Sequence, residues 1–89
     1  MDNQKFVELA KKVVVDYFNS QKEIADEDRL TSADVLVSFT CLLNNRTLLK
    51  TTADDEMRYE VFFEDGKNMC LEVYKNYEKV DRKRVNIEE

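Results

Sequence analysis

A chain with two cysteines and no histidine has few routes to covalent or metal chemistry. Nucleophilic catalysis by Cys41 or Cys70 would need a neighbouring base, and histidine, the usual one, is missing. Cys41 shares the apolar alternation of Val37 and Phe39 and reads as a core residue. Cys70 falls on the opposite, outer face beside Glu60, where a carboxylate raises a thiol pKa and leaves the sulfur inert. Two distant cysteines without histidine do not make a usual zinc site. The run Asp26-Glu27-Asp28 lacks the alternating oxygen ligands of a calcium loop, because Leu30 stands at the fifth position. The single glycine, Gly66, leaves no glycine-rich cradle for phosphate. No metal or cofactor is expected.

Carboxylates are the abundant chemical resource. Acid–base catalysis needs two of them held in a cleft, whereas Asp54, Asp55 and Glu56 fall between two strands, where charge keeps a loop wet. The chain is therefore not expected to be an enzyme. Its net charge of -5 opposes general affinity for phosphate backbones and anionic membrane surfaces. The charge is uneven, however. Lys75, Lys79, Arg82, Lys83 and Arg84 gather near the C-terminus of an otherwise acidic sequence, beside Tyr74 and Tyr77. Cations next to aromatics can hold nucleic acid, although tyrosines capping a core and bases completing a helix C-terminus explain the same residues.

These groups must be positioned by few elements. At 89 residues the chain is one domain, residues 1–89, with a small core. Apolar residues at 43% and charged residues at 37% describe a globular protein. No apolar run reaches membrane-spanning length and no export signal precedes the fold, so a cytosolic setting with reduced thiols is expected. Phe6, Ala10, Val13, Val14 and Tyr17 form one stripe of an amphipathic helix over Asn3 to Asn19, with Asp2 as its cap. A solvated segment follows. Val35 to Leu43 alternates with a β-branched bias and is read as a strand, although Val35, Leu36, Phe39, Leu42 and Leu43 also fit a helical stripe. Asn44-Asn45 suits a hairpin turn into "RTLLKTT".

"MRYEVFFEDGKNMCLEV" reads as a second hairpin. Matching its apolar faces with a three-residue Glu64-Asp65-Gly66 loop pairs Val61 with Met69, Tyr59 with Leu71 and Met57 with Val73, and sets Arg58 across from Glu72. Gly66 would then occupy the left-handed region. From Val73 onward, Tyr77, Val80, Arg84 and Ile87 follow at helical spacing, which predicts a short C-terminal helix. The expected fold class is α+β: an N-terminal helix, a four-stranded antiparallel meander of two hairpins, and a short C-terminal helix.

The succession "DVLVSFTC", "NNRTLLKTT" and "MRYEVFFEDGKNMCLEVYKNYE" resembles a family of small uncharacterised proteins from phages and prophages of low-GC Gram-positive bacteria. Its members carry an aromatic-rich strand ending near a cysteine, an Asn-Asn turn, a strand ending in Ser or Thr, a "YYEV"-type strand, a glycine turn and a "DAYKK"-type helix start. The corresponding positions are Cys41, Asn44 and Asn45, Thr51 and Thr52, Tyr59 to Val61, Gly66, and Val73 to Lys75, so the resemblance covers residues 31 to 80. The chain departs from the family at Phe39, near an expected tryptophan, and at Glu72, in place of an aromatic. The resemblance implies a phage context and a host-cell setting, and no activity.

The expected function is binding without catalysis. The partner would be a host or phage protein, with the chain acting as an inhibitor of a host nucleic-acid or defence enzyme. Asp54, Asp55, Glu56, Glu60 and Asp65 are the expected contacts, since they form the densest acidic group and flank the best-defined hairpin. The alternative is a nucleic-acid-binding accessory factor using the basic C-terminal helix. Leu36, Leu42, Leu48 and Phe62 make the outer sheet face more apolar than solvent requires, which reads as a surface for homodimerisation.

Overall fold

The computed structural model describes residues 3–21, 29–41, 46–53, 56–65 and 68–86, with the backbone alone for Asn3, Phe39, Thr40, Cys41 and Asp65. Helix α1 (Asn3–Asn19) precedes five strands: β1 (Val35–Cys41), β2 (Arg46–Thr51), β3 (Met57–Asp65), β4 (Asn68–Lys75) and β5 (Glu78–Asn86). They form one antiparallel sheet in the order β1-β2-β3-β4-β5, so β1 and β5 are its edges.

The helix stripe is the one read from the sequence. Phe6, Ala10, Val13 and Val14 are buried against Val35, Leu49, Tyr59, Val61, Met69, Leu71 and Val73. Every second residue of β2 to β4 thus faces α1, as strand geometry requires. The Phe6 and Phe63 rings lie 5.3 Å apart, and Tyr17 meets Tyr59 edge-on at 6.2 Å. Beyond α1, the Asn19 side chain donates to the Leu30 carbonyl and accepts from the Leu30 amide, both at 2.9 Å. One side-chain amide therefore ties the helix end to the approach to β1. A single 3₁₀ turn, Ser32–Asp34, follows, with the Thr31 amide donating to Asp34 Oδ2 at 2.8 Å.

Val35 to Cys41 is a strand, not a helix, and it pairs with β2 around a bulge between Val37 and Phe39. The Asn44-Asn45 turn, the Asp2 cap and Leu42 lie outside the described residues.

The expected C-terminal helix is absent, and the sheet has five strands rather than four. The segment that should have been helical is β5, paired along its length with β4 through Asn68↔Asn86, Leu71↔Lys83 and Val73↔Asp81. The chain reverses at Asn76 (φ 52°) and Tyr77 (φ 69°), both left-handed, which is the dihedral pattern of a type I′ hairpin turn. Asparagine tolerates that region. Tyrosine does not favour it, so the turn carries no "Asn-Gly" signal. β5 also lacks apolar alternation, because it lies at the sheet edge. Its helix-side residues Asp81 and Lys83 meet the polar and aromatic parts of Tyr17: the Tyr17 hydroxyl donates to Asp81 Oδ2 at 2.8 Å, and the Lys83 ammonium stands 5.6 Å from the ring centre.

The β3–β4 register also differs from expectation. Val61 faces Leu71, Tyr59 faces Val73, Met57 faces Lys75, and Arg58 faces Tyr74 rather than Glu72. Each pairing is displaced by two residues. Asp65 pairs with Asn68 and the register shifts between Phe63 and Asp65, so the extra residue is Glu64, bulged within the strand. The connection is Gly66-Lys67, and the expected left-handed φ of Gly66 lies outside the described residues. The displacement is even, so the apolar faces still coincide.

Candidate functional site

The sheet face turned away from α1 carries the charged and aromatic side chains in cross-strand rows. One row runs Leu36, Lys50 on β2, then Arg58, Tyr74 and Lys79, from the pairs Leu36↔Lys50, Arg58↔Tyr74 and Tyr74↔Lys79. The next runs Leu48, Glu60, Glu72 and Arg82, and the one beyond it Arg46, Phe62, Cys70 and Arg84.

Most of these charges are matched. Arg46 Nη1 donates to Glu60 Oε1 at 2.6 Å, and its guanidinium lies 4.5 Å over the Phe62 ring. Lys79 pairs with Glu72, whose side chain is only 10% exposed. Arg82 and Arg84 converge on Glu64 at 2.8 and 2.6 Å. Arg82 also donates through Nε to Cys70 Sγ at 3.1 Å, over a thiol that is buried rather than presented. The Tyr74 hydroxyl lies 3.4 Å from Glu72 Oε1. Burial, then the Glu72 charge, push its pKa above the ordinary tyrosine value, against the opposing pull of Lys79.

At one end of this face a groove of about 590 Å³ opens between Leu48, Lys50, Ala53, Glu56, Arg58, Glu60, Tyr74, Asn76 and Tyr77. Its volume is in the range of ligand-sized clefts. Leu48 lies on its floor at 40% exposure, and Leu36 on the same face is 52% exposed. Tyr77 stands at its lip with its side chain wholly in solvent, at 102% exposure, so it does not cap the core as the sequence suggested.

Of the five acidic positions expected to touch a partner, the structure brings Glu56 and Glu60 to this groove. Glu56 is exposed, while Glu60 is held by Arg46 with 13% of its side chain accessible. Asp65 is placed by its backbone alone, and Asp54 and Asp55 lie outside the described residues. The basic segment is spread over both faces of β5, with Lys83 on the helix side and Lys79, Arg82 and Arg84 on the outer side, each paired with a carboxylate. The apolar surface expected for self-association survives as Leu36 and Leu48. Phe62 is half-buried under Arg46, and Leu42 lies outside the described residues. Sequence reasoning missed Lys50 and Arg58 as site residues, and weighed Tyr77 only as a nucleic-acid contact or a core cap. The signal for Tyr77 was present in "KNYE", a lysine–glutamate pair around an asparagine, and was hidden by the absence of glycine.

Residues 7–86 match the profile of DUF6275, a family of unknown function. The chain belongs to that family. No curated protein and no solved structure matches it. The family match runs from within α1 through β5 and therefore covers every residue that lines the groove. No helix among the described residues is long and apolar enough to cross a membrane, and among them no cluster of His, Cys, Asp or Glu is placed to hold a metal ion.

Proposed function

We propose that the protein acts without catalysis, by binding another protein on the outer face of its sheet. The observation that carries this reading is Tyr77, fully exposed and held at φ 69° on the lip of the groove. A left-handed tyrosine costs on the order of 1 kcal/mol, and its side chain gains no burial in return. Such a residue is expensive for the free protein and suited to a bound one, since tyrosine presents large contact area with few rotors to freeze. Exposed Leu36 and Leu48 on the same face support the reading.

The narrower form of the proposal places the chain in a host-cell cytoplasm, docking on a host or phage protein and inhibiting a nucleic-acid or defence enzyme. It is supported by the resemblance to phage proteins and by the acidic balance, with Asp54, Asp55, Glu56, Glu60 and Asp65 at or near the contact. The test is capture from lysate after nuclease treatment, followed by reconstitution with the purified captured protein. Binding that survives nuclease and is lost with Leu48→Gln or Tyr77→Gly, but not with Lys12→Gln on α1, supports the reading. Binding indifferent to both outer-face substitutions, or carried by nucleic acid, refutes it.

A further inference from the structure

The groove contains two cations that no carboxylate among the described residues pairs. The β2–β3 pairing runs Arg46↔Phe62, Thr47↔Val61, Leu48↔Glu60, Leu49↔Tyr59 and ends there, at the groove, with Lys50 next along β2 and Arg58 next along β3. Both line the groove. Elsewhere on this face each cation has its carboxylate: Arg46 has Glu60, Lys79 has Glu72, and Arg82 and Arg84 share Glu64. Among the described residues Lys50 and Arg58 have none. Arg58 donates through Nη1 only to the Met57 carbonyl, at 3.0 Å.

We propose that the groove receives an acidic segment of the partner protein, with one carboxylate seated between Lys50 and Arg58 and a neighbouring apolar or aromatic side chain laid over Leu48, Tyr74 and Tyr77. This deepens the protein-binding reading and rests on it. A carboxylate reaching the two cations forms charge-assisted hydrogen bonds, the stronger class. The apolar floor and the two tyrosines supply the contact area that a lone ion pair lacks.

The surroundings select a peptide over a polynucleotide. Glu56 lines the same groove and is exposed without a cation partner among the described residues, and Glu60 and Glu72 occupy the next row. Lys50 and Arg58 are the cations among the described residues that line the groove, enough for one anionic group. A train of phosphates would run onto carboxylates on leaving it, on a protein whose net charge is -5.

The test titrates the full chain with acetyl-Glu-Leu-Glu-Phe-amide, its neutral counterpart acetyl-Gln-Leu-Gln-Phe-amide and oligothymidylate, following backbone amide shifts by NMR. The acidic peptide is expected to move the amides of Leu48, Lys50, Arg58, Tyr74 and Tyr77, to bind at least tenfold more tightly than the neutral one, and to weaken with added salt. Lys50→Gln and Arg58→Gln, whose retained fold the same spectra verify, should each cost roughly tenfold in affinity. Equal affinity for the two peptides, shifts confined to other surfaces, no shifts at millimolar peptide, or preference for oligothymidylate would each overturn the assignment. A captured partner that depends on Tyr77 yet tolerates Lys50→Gln and Arg58→Gln sinks this inference alone. A protein that captures nothing sinks the reading beneath it.

Discussion

Glu60 and Glu72 stand directly opposite each other on β3 and β4, two carboxylates at a position where like charges destabilise a sheet. Arg46 and Lys79, each from a neighbouring row, neutralise them. Glu72 is the more enclosed, at 7% exposure. Removing Lys79 leaves a nearly buried carboxylate facing another, whereas Glu72→Gln removes the repulsion along with the attraction. Lys79→Ala should therefore lower the urea midpoint more than Glu72→Gln does. Equal losses, or a larger one for Glu72→Gln, would show that the opposed pair carries no strain.

A second prediction concerns the join between α1 and the edge strand. Burial, then the hydrogen bond to Asp81 and its charge, push the Tyr17 hydroxyl from 10.0 up to about 12. The folded pKa lies above the unfolded one, so the stabilisation is fully present below pH 10.0 and is lost as pH rises toward about 12. Asp81 moves the other way. The Tyr17 hydrogen bond, then the Arg82 amide, hold it below 3.8, so its contribution is lost as pH falls through that lowered value. Thermal midpoints should decline at both extremes, and Tyr17→Phe should flatten both declines. Ultraviolet titration of the four tyrosines should lose a phase near pH 12 in the same variant.

The helix and the strand pattern were legible because they carry a core. Phe6, Ala10, Val13 and Val14 repeat with helical period, and Tyr59, Val61 and Leu71 with strand period, since each set must face the other. Face matching sets a register only to within an even number of residues. The bulge at Glu64 used that freedom, moving every β3–β4 pair by two without exposing an apolar side chain. β5 escaped for the converse reason. With Lys79, Asp81, Arg82, Lys83 and Arg84 it has almost no apolar face to betray a strand, and charged residues on an edge discourage pairing with another chain. The candidate groove was visible only in part. Glu56 and Glu60 stood out by charge, while the meeting of Lys50 and Arg58 in one groove depends on which strands are neighbours.

Topology also decides the thiols. Cys41 is on β1 and Cys70 on β4, with β2 and β3 between them, so their backbones are separated by three strand spacings, about 14 Å. A disulfide needs Cα atoms within about 7 Å, and no bridge can form inside one folded chain. Cys70 is 1% exposed beneath the Arg82 side chain. The denatured protein should yield two thiols to a colourimetric reagent without reduction, and in the native protein Cys70 should react at a rate limited by opening of the β4–β5 hairpin. Arg82→Ala should accelerate it. A reaction rate for Cys70 equal in native and denatured protein would contradict its placement.

The last prediction separates stability from function at one position. Tyr77 is left-handed at φ 69° and entirely exposed, so Tyr77→Gly loses no burial and relieves a conformation that costs an L-residue about 1–2 kcal/mol. Part of that gain is offset by the greater freedom of glycine in the unfolded chain, about 0.5–1 kcal/mol. The variant should thus be as stable as the parent or more stable by up to about 1.5 kcal/mol, with a type I′ turn completed as Asn-Gly. Tyr77→Ala keeps the strain and loses the ring, so it should be no more stable than the parent. If the ring is retained for a partner, both variants should lose binding while only glycine raises the thermal midpoint. A destabilised Tyr77→Gly would mean that the ring holds the β4–β5 turn in the free protein, and the case for Tyr77 as a binding residue would fall with it.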